Sequence, residues 1–72
     1  MMDFRITYDR EADAAYLCLT ENSTHSVQQI SGITLPDMLG EIEIDLDSAG
    51  RVIGIEFVHA SQILPREMID QI

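Results

Sequence analysis

The sequence predicts an α+β fold: an antiparallel sheet of about four or five strands built from hairpins, with a short C-terminal helix. Three observations carry that prediction. Apolar residues recur with a period of two along most of the 72 residues, the mark of half-buried strands. The two strongest alternating runs flank an acidic, glycine-containing turn, EIEIDLDSAGRVIGIEFV. After Val58 the periodicity changes, and the chain then meets Pro65, as at the entry to a helix. Strand hairpins followed by a helix belong to the α+β class. The length allows one small domain, 1–72.

The elements follow in order. Phe4, Ile6 and Tyr8 alternate with Arg5 and Thr7 and predict a first strand. The stretch DREAD reverses the chain, because the Asp9 carboxylate can accept amide hydrogen bonds two or three residues on. AAYLCLT is a second strand, with Ala15, Leu17 and Leu19 on one face and Ala14, Tyr16 and Cys18 on the other. Both faces are apolar, so neither is expected to be fully solvated. Residues 21–24 form a polar loop, and 25–30 a weak strand that Gln28 and Gln29 interrupt. Signals over 31–40 are mixed, apart from a turn at Pro36-Asp37. Residues 41–47 and 51–58 are the strongest strands. A helical turn over 60–64, with Ser61 near its start, precedes a last helix that opens with Pro65 and carries Glu67 near its N-terminus. Met68, Ile69 and Ile72 supply an apolar stripe with which so short a helix must dock.

Parity constrains the central hairpin. Ile42, Ile44 and Leu46 share a face with Ile53, Ile55 and Phe57 if the loop holds an even number of residues, either Ala49-Gly50 or 47–50. Gly50 supplies the positive φ that either turn needs. In that register Glu43, Asp45, Asp47 and Glu56 point to the opposite face. Gly54, inside a strong strand, predicts a bulge or the close approach of a ring or a second backbone. Contact with a second subunit is the preferred expectation.

Size and charge bound the function. A chain this short buries only ~60% of its unfolded surface, and such domains are usually reinforced by disulfides, metals or oligomerisation. Cys18 is the one cysteine, so an internal disulfide is impossible, and the run around it predicts a buried, reduced core thiol. His25 and His59 have no partner at metal-ligand spacing. Oligomerisation remains, and a homo-oligomer, a dimer or higher, is expected. Thirteen acidic residues against four arginines give a net charge of −9, which disfavours phosphate backbones and hence nucleic acid. No apolar stretch approaches ~18 residues and the N-terminus lacks a leader pattern, so a soluble, cytoplasmic protein without membrane partners is expected.

Three ordered motifs suggest a relationship. Tyr8-Asp9, Glu11-Ala12-Asp13-Ala14 and Tyr16-Leu17 form the first. Asp45, Asp47 and Gly50-Arg51-Val52-Ile53-Gly54-Ile55-Glu56 form the second, and Ala60-Ser61 with Leu64-Pro65-Arg66-Glu67 the third. Together they resemble the short prokaryotic family catalogued as domain of unknown function 2283. The resemblance covers most of the chain and is weakest over 21–41, where this sequence is longer than the family's usual linker. Arg10 replaces the proline often found after the Tyr-Asp pair, which should loosen that turn slightly. The family has no established activity. Some members are encoded beside small toxin-like proteins, so the resemblance implies an antitoxin or partner-binding role.

Asp45, Asp47, Gly50 and Glu56 occupy positions 1, 3, 6 and 12 of a calcium-loop pattern. Ala49 breaks it at position 5, and flanking strands would draw Glu56 away, so no metal or other cofactor is assigned. Catalysis by paired carboxylates needs a cleft that separates their pKa values, and no nucleophile–base spacing is visible. Ser61 beside His59 is a pairing of two common residue types. No catalytic residue is assigned, and a small enzyme ranks third among the readings. The carboxylate face of the hairpin, Glu43, Asp45, Asp47 and Glu56 with Arg51, is the candidate surface for a basic protein partner. The leading reading is an acidic interaction module of antitoxin-like character. A purely structural homo-oligomer is the alternative.

Overall fold

The alternating runs all form strands. The computed structural model describes residues 4–20 and 25–72. Among them, strands β1 (Arg5–Asp9), β2 (Ala14–Cys18), β3 (Gln28–Ile33), β4 (Glu41–Leu46) and β5 (Val52–Val58) precede helices α1 (Ala60–Ile63) and α2 (Arg66–Gln71). The strands form one antiparallel sheet in the order β1-β2-β5-β4-β3. The expected α+β architecture is present, with two short helices in place of one. The polar loop expected at 21–24 lies outside the described residues. The weak strand expected over 25–30 begins later, at Gln28, and runs on to Ile33.

Register sorts the side chains onto two faces. Ile6, Leu17, Ile55, Ile44 and Ile30 form one cross-strand row, and Tyr8, Ala15, Phe57, Ile42 and Ile33 the next. Helices α1 and α2 lie on this apolar face, where Ala15, Ala60 and Ile69 are buried among Tyr8, Phe57 and Leu64. The alanines let α1 approach β2 closely: Ala15 is 1% and Ala60 0% exposed. Of the expected helical stripe, Ile69 enters this core while Met68 remains largely exposed.

The central hairpin departs from the even-loop expectation. The Asp47 amide donates to the Arg51 carbonyl (2.9 Å) and the Gly50 amide to the Asp47 carbonyl (3.0 Å), leaving three residues, 48–50, in the turn. Gly50 has φ +79°, the left-handed residue that such three-residue turns require. The apolar residues still share a face because β5 carries a bulge. Leu46 pairs with Val52 but Asp45 pairs with Gly54, so Ile53 is an extra residue that restores the parity lost in the turn. A second bulge does the same in β3. Ile30 pairs with Ile44 and Ile33 with Ile42, so Ser31 and Gly32 (φ +75°) together oppose Glu43.

Local hydrogen bonds close the remaining connections. Asp9 Oδ1 accepts from the amides of Glu11 (3.0 Å) and Ala12 (3.3 Å), as its position predicts. The Arg10 guanidinium stands 5.5 Å from the centre of the Tyr8 ring, a contact that proline could not make. The Met38 amide donates to the Leu35 carbonyl (3.0 Å) across the Pro36-Asp37 turn.

Candidate functional site

Among the described residues no helix lies over the second face of the sheet, and register gathers the acidic residues there. Glu43 lies directly opposite Glu56, Glu41 opposite Val58, and Asp45 between Gly54 on one side and Gln29 on the other. Tyr16, opposite Glu56 on β2, reaches diagonally across the strand between. Its ring lies over Gly54, filling the place a side chain there would take, and its hydroxyl donates to Asp45 Oδ2 at 2.9 Å. What approaches Gly54 is therefore an aromatic ring of the same chain, not the second subunit that the sequence favoured. A ring laid over a strand glycine covers backbone that would otherwise be bare.

The electrostatics of the face are uneven. Asp45 is well supplied with donors, since Gln29 Nε2 reaches its Oδ1 at 2.9 Å while Tyr16 holds Oδ2. Burial and then the Asp45 hydrogen bond push the Tyr16 hydroxyl up to about 12. Glu43 and Glu56 have no such donors and turn to each other. The hydrogen bond to Glu56, followed by partial desolvation and repulsion from Glu56, Glu41 and Asp45, raises the Glu43 carboxyl above the ordinary range. Like charges directly opposite on adjacent strands repel, which favours the protonated form of Glu43. No arginine among the described residues comes within 4.0 Å of these carboxylates; the ion pair in that range joins Arg66 to Asp70 on α2.

Two of the five residues expected on this face behave differently. Asp47 folds into the turn, where its Oδ1 accepts from the amides of Arg51 and Ala49 at 2.9 Å each. Those bonds, the Arg51 amide first, hold its carboxyl below the ordinary range. Arg51 closes the same turn through its backbone. Asp45, Asp47 and Glu56 thus point to separate tasks, and no group of three or more metal-ligating residues assembles among the described residues. Glu41, Tyr16 and Gln29 join Glu43, Asp45 and Glu56 instead. Alternation already placed Glu41 there, whereas Gln29 depends on a register that the β3 bulge conceals. Cys18 also lies on this face rather than in the core. It is half-buried, with Sγ donating to the Thr20 carbonyl at 3.2 Å and Arg5 Nη2 at 3.9 Å from it.

A second polar cluster ties the β1–β2 turn to α1. Asp13, with φ +52°, accepts from Tyr8 Oη (2.8 Å), the Ser61 amide (2.9 Å) and Ser61 Oγ (2.7 Å), and its carbonyl accepts from the Ala60 amide (2.8 Å). It serves as the N-terminal cap of α1 from 48 residues away. The Ser61 hydroxyl and amide, then Tyr8, hold the Asp13 carboxyl below its ordinary value, and the bond to Asp13 raises the Tyr8 hydroxyl. The Tyr-Asp, Asp13 and Ala-Ser segments, remote in sequence, are the two halves of this one joint.

The family described as Protein of unknown function (DUF2283) matches residues 5–61 of the 72. This chain belongs to the DUF2283 family. The match begins with β1 and ends at Ser61, so it takes in all five strands and the Asp13–Ser61 joint of this DUF2283 protein, and stops short of Leu64-Pro65-Arg66-Glu67. No curated protein and no solved structure matches it. No helix among its described residues is long and apolar enough to cross a membrane.

Proposed function

We propose that this DUF2283 protein is a non-catalytic, cytoplasmic interaction module whose open sheet face docks a basic protein, in the manner of the acidic member of a toxin–antitoxin pair. One observation carries the reading. Glu41, Glu43 and Glu56 stand together on a face that, among the described residues, has no helix over it and no cation paired with them, and Glu43 is driven toward its protonated form by its neighbours. A fold that needed only a solvated surface gains nothing from opposing two glutamates. A docked lysine or arginine would offset the repulsion and add charge-assisted hydrogen bonds. Asp45, held by Tyr16 and Gln29, gives the face a fixed reference point.

The chain, immobilised at low ionic strength and exposed to extract of the cells that produce it, should retain a small basic protein. Replacing Glu41, Glu43 and Glu56 together by glutamine should abolish that retention while leaving the strand spectrum unchanged. An empty wild-type column, or equal capture by the glutamine variant, overturns the proposal. The pH dependence has a definite sign. A cationic partner favours ionised Glu43, so affinity should rise as pH rises through the elevated Glu43 titration.

A further inference from the structure

We propose that the chain forms a two-fold dimer through the half of its apolar sheet face that α1 and α2 leave bare. The helices cover β1, β2 and β5. Over β4 and β3 the same face carries half-buried Ile42 and Ile44 and exposed Ile30 and Ile33, 46% and 37% exposed, with no helix of the described residues above them. Leu35 and Leu39, also exposed, extend the surface toward α1. There the 35–39 connection, with Gln62 and Ile63, borders an open recess of about 550 Å³.

The occupant follows from area and charge. A folded monomer of 8.1 kDa should expose ~4500 Å² by the usual scaling, and this chain exposes 5383 Å². The excess, about 900 Å² summed over the whole chain, leaves room for the ~800 Å² that each partner buries in a standard interface. The core is thin: among the described residues the buried apolar ones are Ala15, Ile53, Ala60 and Ile69, two of them alanines. It resembles a domain core cut in half, as in obligate dimers. Each copy carries a net charge of −9, so two copies meet most readily where carboxylates are absent; the strand residues of this face carry none, and Asp37 lies at its margin in the 35–39 connection. Packed sheets stand ~10 Å apart and a helix is ~10–12 Å across. The partner's β3 and β4 can therefore fill the layer that α1 and α2 occupy elsewhere, in a self-complementary arrangement.

Sedimentation equilibrium of the full chain at micromolar concentration tests this. The wild type should give twice 8.1 kDa, at low and high salt alike. Ile33→Glu should give the single-chain mass with an unchanged strand spectrum. Should Ile33→Glu fail to fold, Leu39→Glu carries the test, because Leu39 is 69% exposed in a connection outside the sheet. Glu43→Gln, on the opposite face, should leave the dimer intact. The proposal is overturned by a wild type of single-chain mass, including one whose apolar face is protected only when another protein is added. A dimer that survives both glutamate substitutions, or one that salt dissociates, overturns it equally. None of these outcomes bears on the acidic face, which is read separately through the glutamine variant.

Discussion

At the scale of single residues, Gly54 and Tyr16 form a pair in which each explains the other. Any side chain at position 54 would meet the Tyr16 ring. Gly54→Val should therefore cost about 3 kcal/mol in urea unfolding, the upper part of the range for overpacking. Gly54→Val combined with Tyr16→Ala should recover part of that loss, since the obstruction is gone. Full additivity of the two would show that ring and glycine do not interact. The phenols give a second test. Tyr16 is raised to about 12 and Tyr8 is raised as well, so the folded state holds both neutral where the unfolded chain ionises them near 10. That contribution to stability is complete below the unfolded value and is lost as pH rises through the folded one. In ultraviolet titration both phenolate steps of the native protein should lie at higher pH than those of the urea-unfolded protein, that of Tyr16 near 12.

Among the elements, α1 is too short to persist by its own hydrogen bonds. It is held by Ala60 in the core and by Asp13 at its N-terminus. Ser61→Ala removes one of the Asp13 hydrogen bonds and should lower the melting temperature. Asp13→Ala removes every carboxylate bond of the cap, to the Ser61 amide and hydroxyl and to Tyr8, leaves the backbone bond from Ala60, and should lower it further. The Asp13 and Asp47 carboxyls are both depressed in the folded state. Their contribution is present above the ordinary aspartate range and is lost as pH falls through the folded values, whereas elevated Glu43 acts in the opposite sense. In Asp13→Asn the acid limb of the stability profile should flatten; an unchanged limb would remove Asp13 from this role. Element scale is also where the sequence was most and least legible. Strict alternation over 41–46 places the apolar residues on one face and Glu41, Glu43 and Asp45 on the other, because the period of a strand is a local property, whereas Asp47 leaves that face for the turn. Loop parity failed because the compensating bulge at Ile53 is a property of the pair of strands, invisible in either one. The β3 bulge likewise hid Gln29 and blurred the boundaries over 25–33. The reach of Tyr16 over Gly54 to Asp45 is invisible in the sequence, since it depends on three strands that meet only in the sheet. The apolar neighbours of Cys18 predict a core thiol, yet alternation puts it beside Tyr16 on the carboxylate face.

For the whole molecule, the strand order β1-β2-β5-β4-β3 separates two chemistries cleanly. Apolar residues face the helices, and carboxylates face the other way. The two proposed contacts therefore differ in their response to ionic strength. Docking of a basic protein on Glu41, Glu43 and Glu56 should weaken steeply as salt shortens the screening length from ~10 Å at 0.1 M, while apolar pairing through Ile30 and Ile33 should hold. Concentration acts in the reverse sense: the melting temperature of the chain alone should rise with its own concentration, as a dimer requires.

The same separation provides each face with its own reporter. The chain contains no tryptophan and two tyrosines. Tyr8 sits beside the helices on one side of the sheet, and Tyr16 lies over Gly54 on the other. Tyrosine emission from Tyr8→Phe thus follows the carboxylate side by itself, and emission from Tyr16→Phe the helix side. Two single-substitution variants, measured side by side, thus report the opposite surfaces of an otherwise optically plain protein independently.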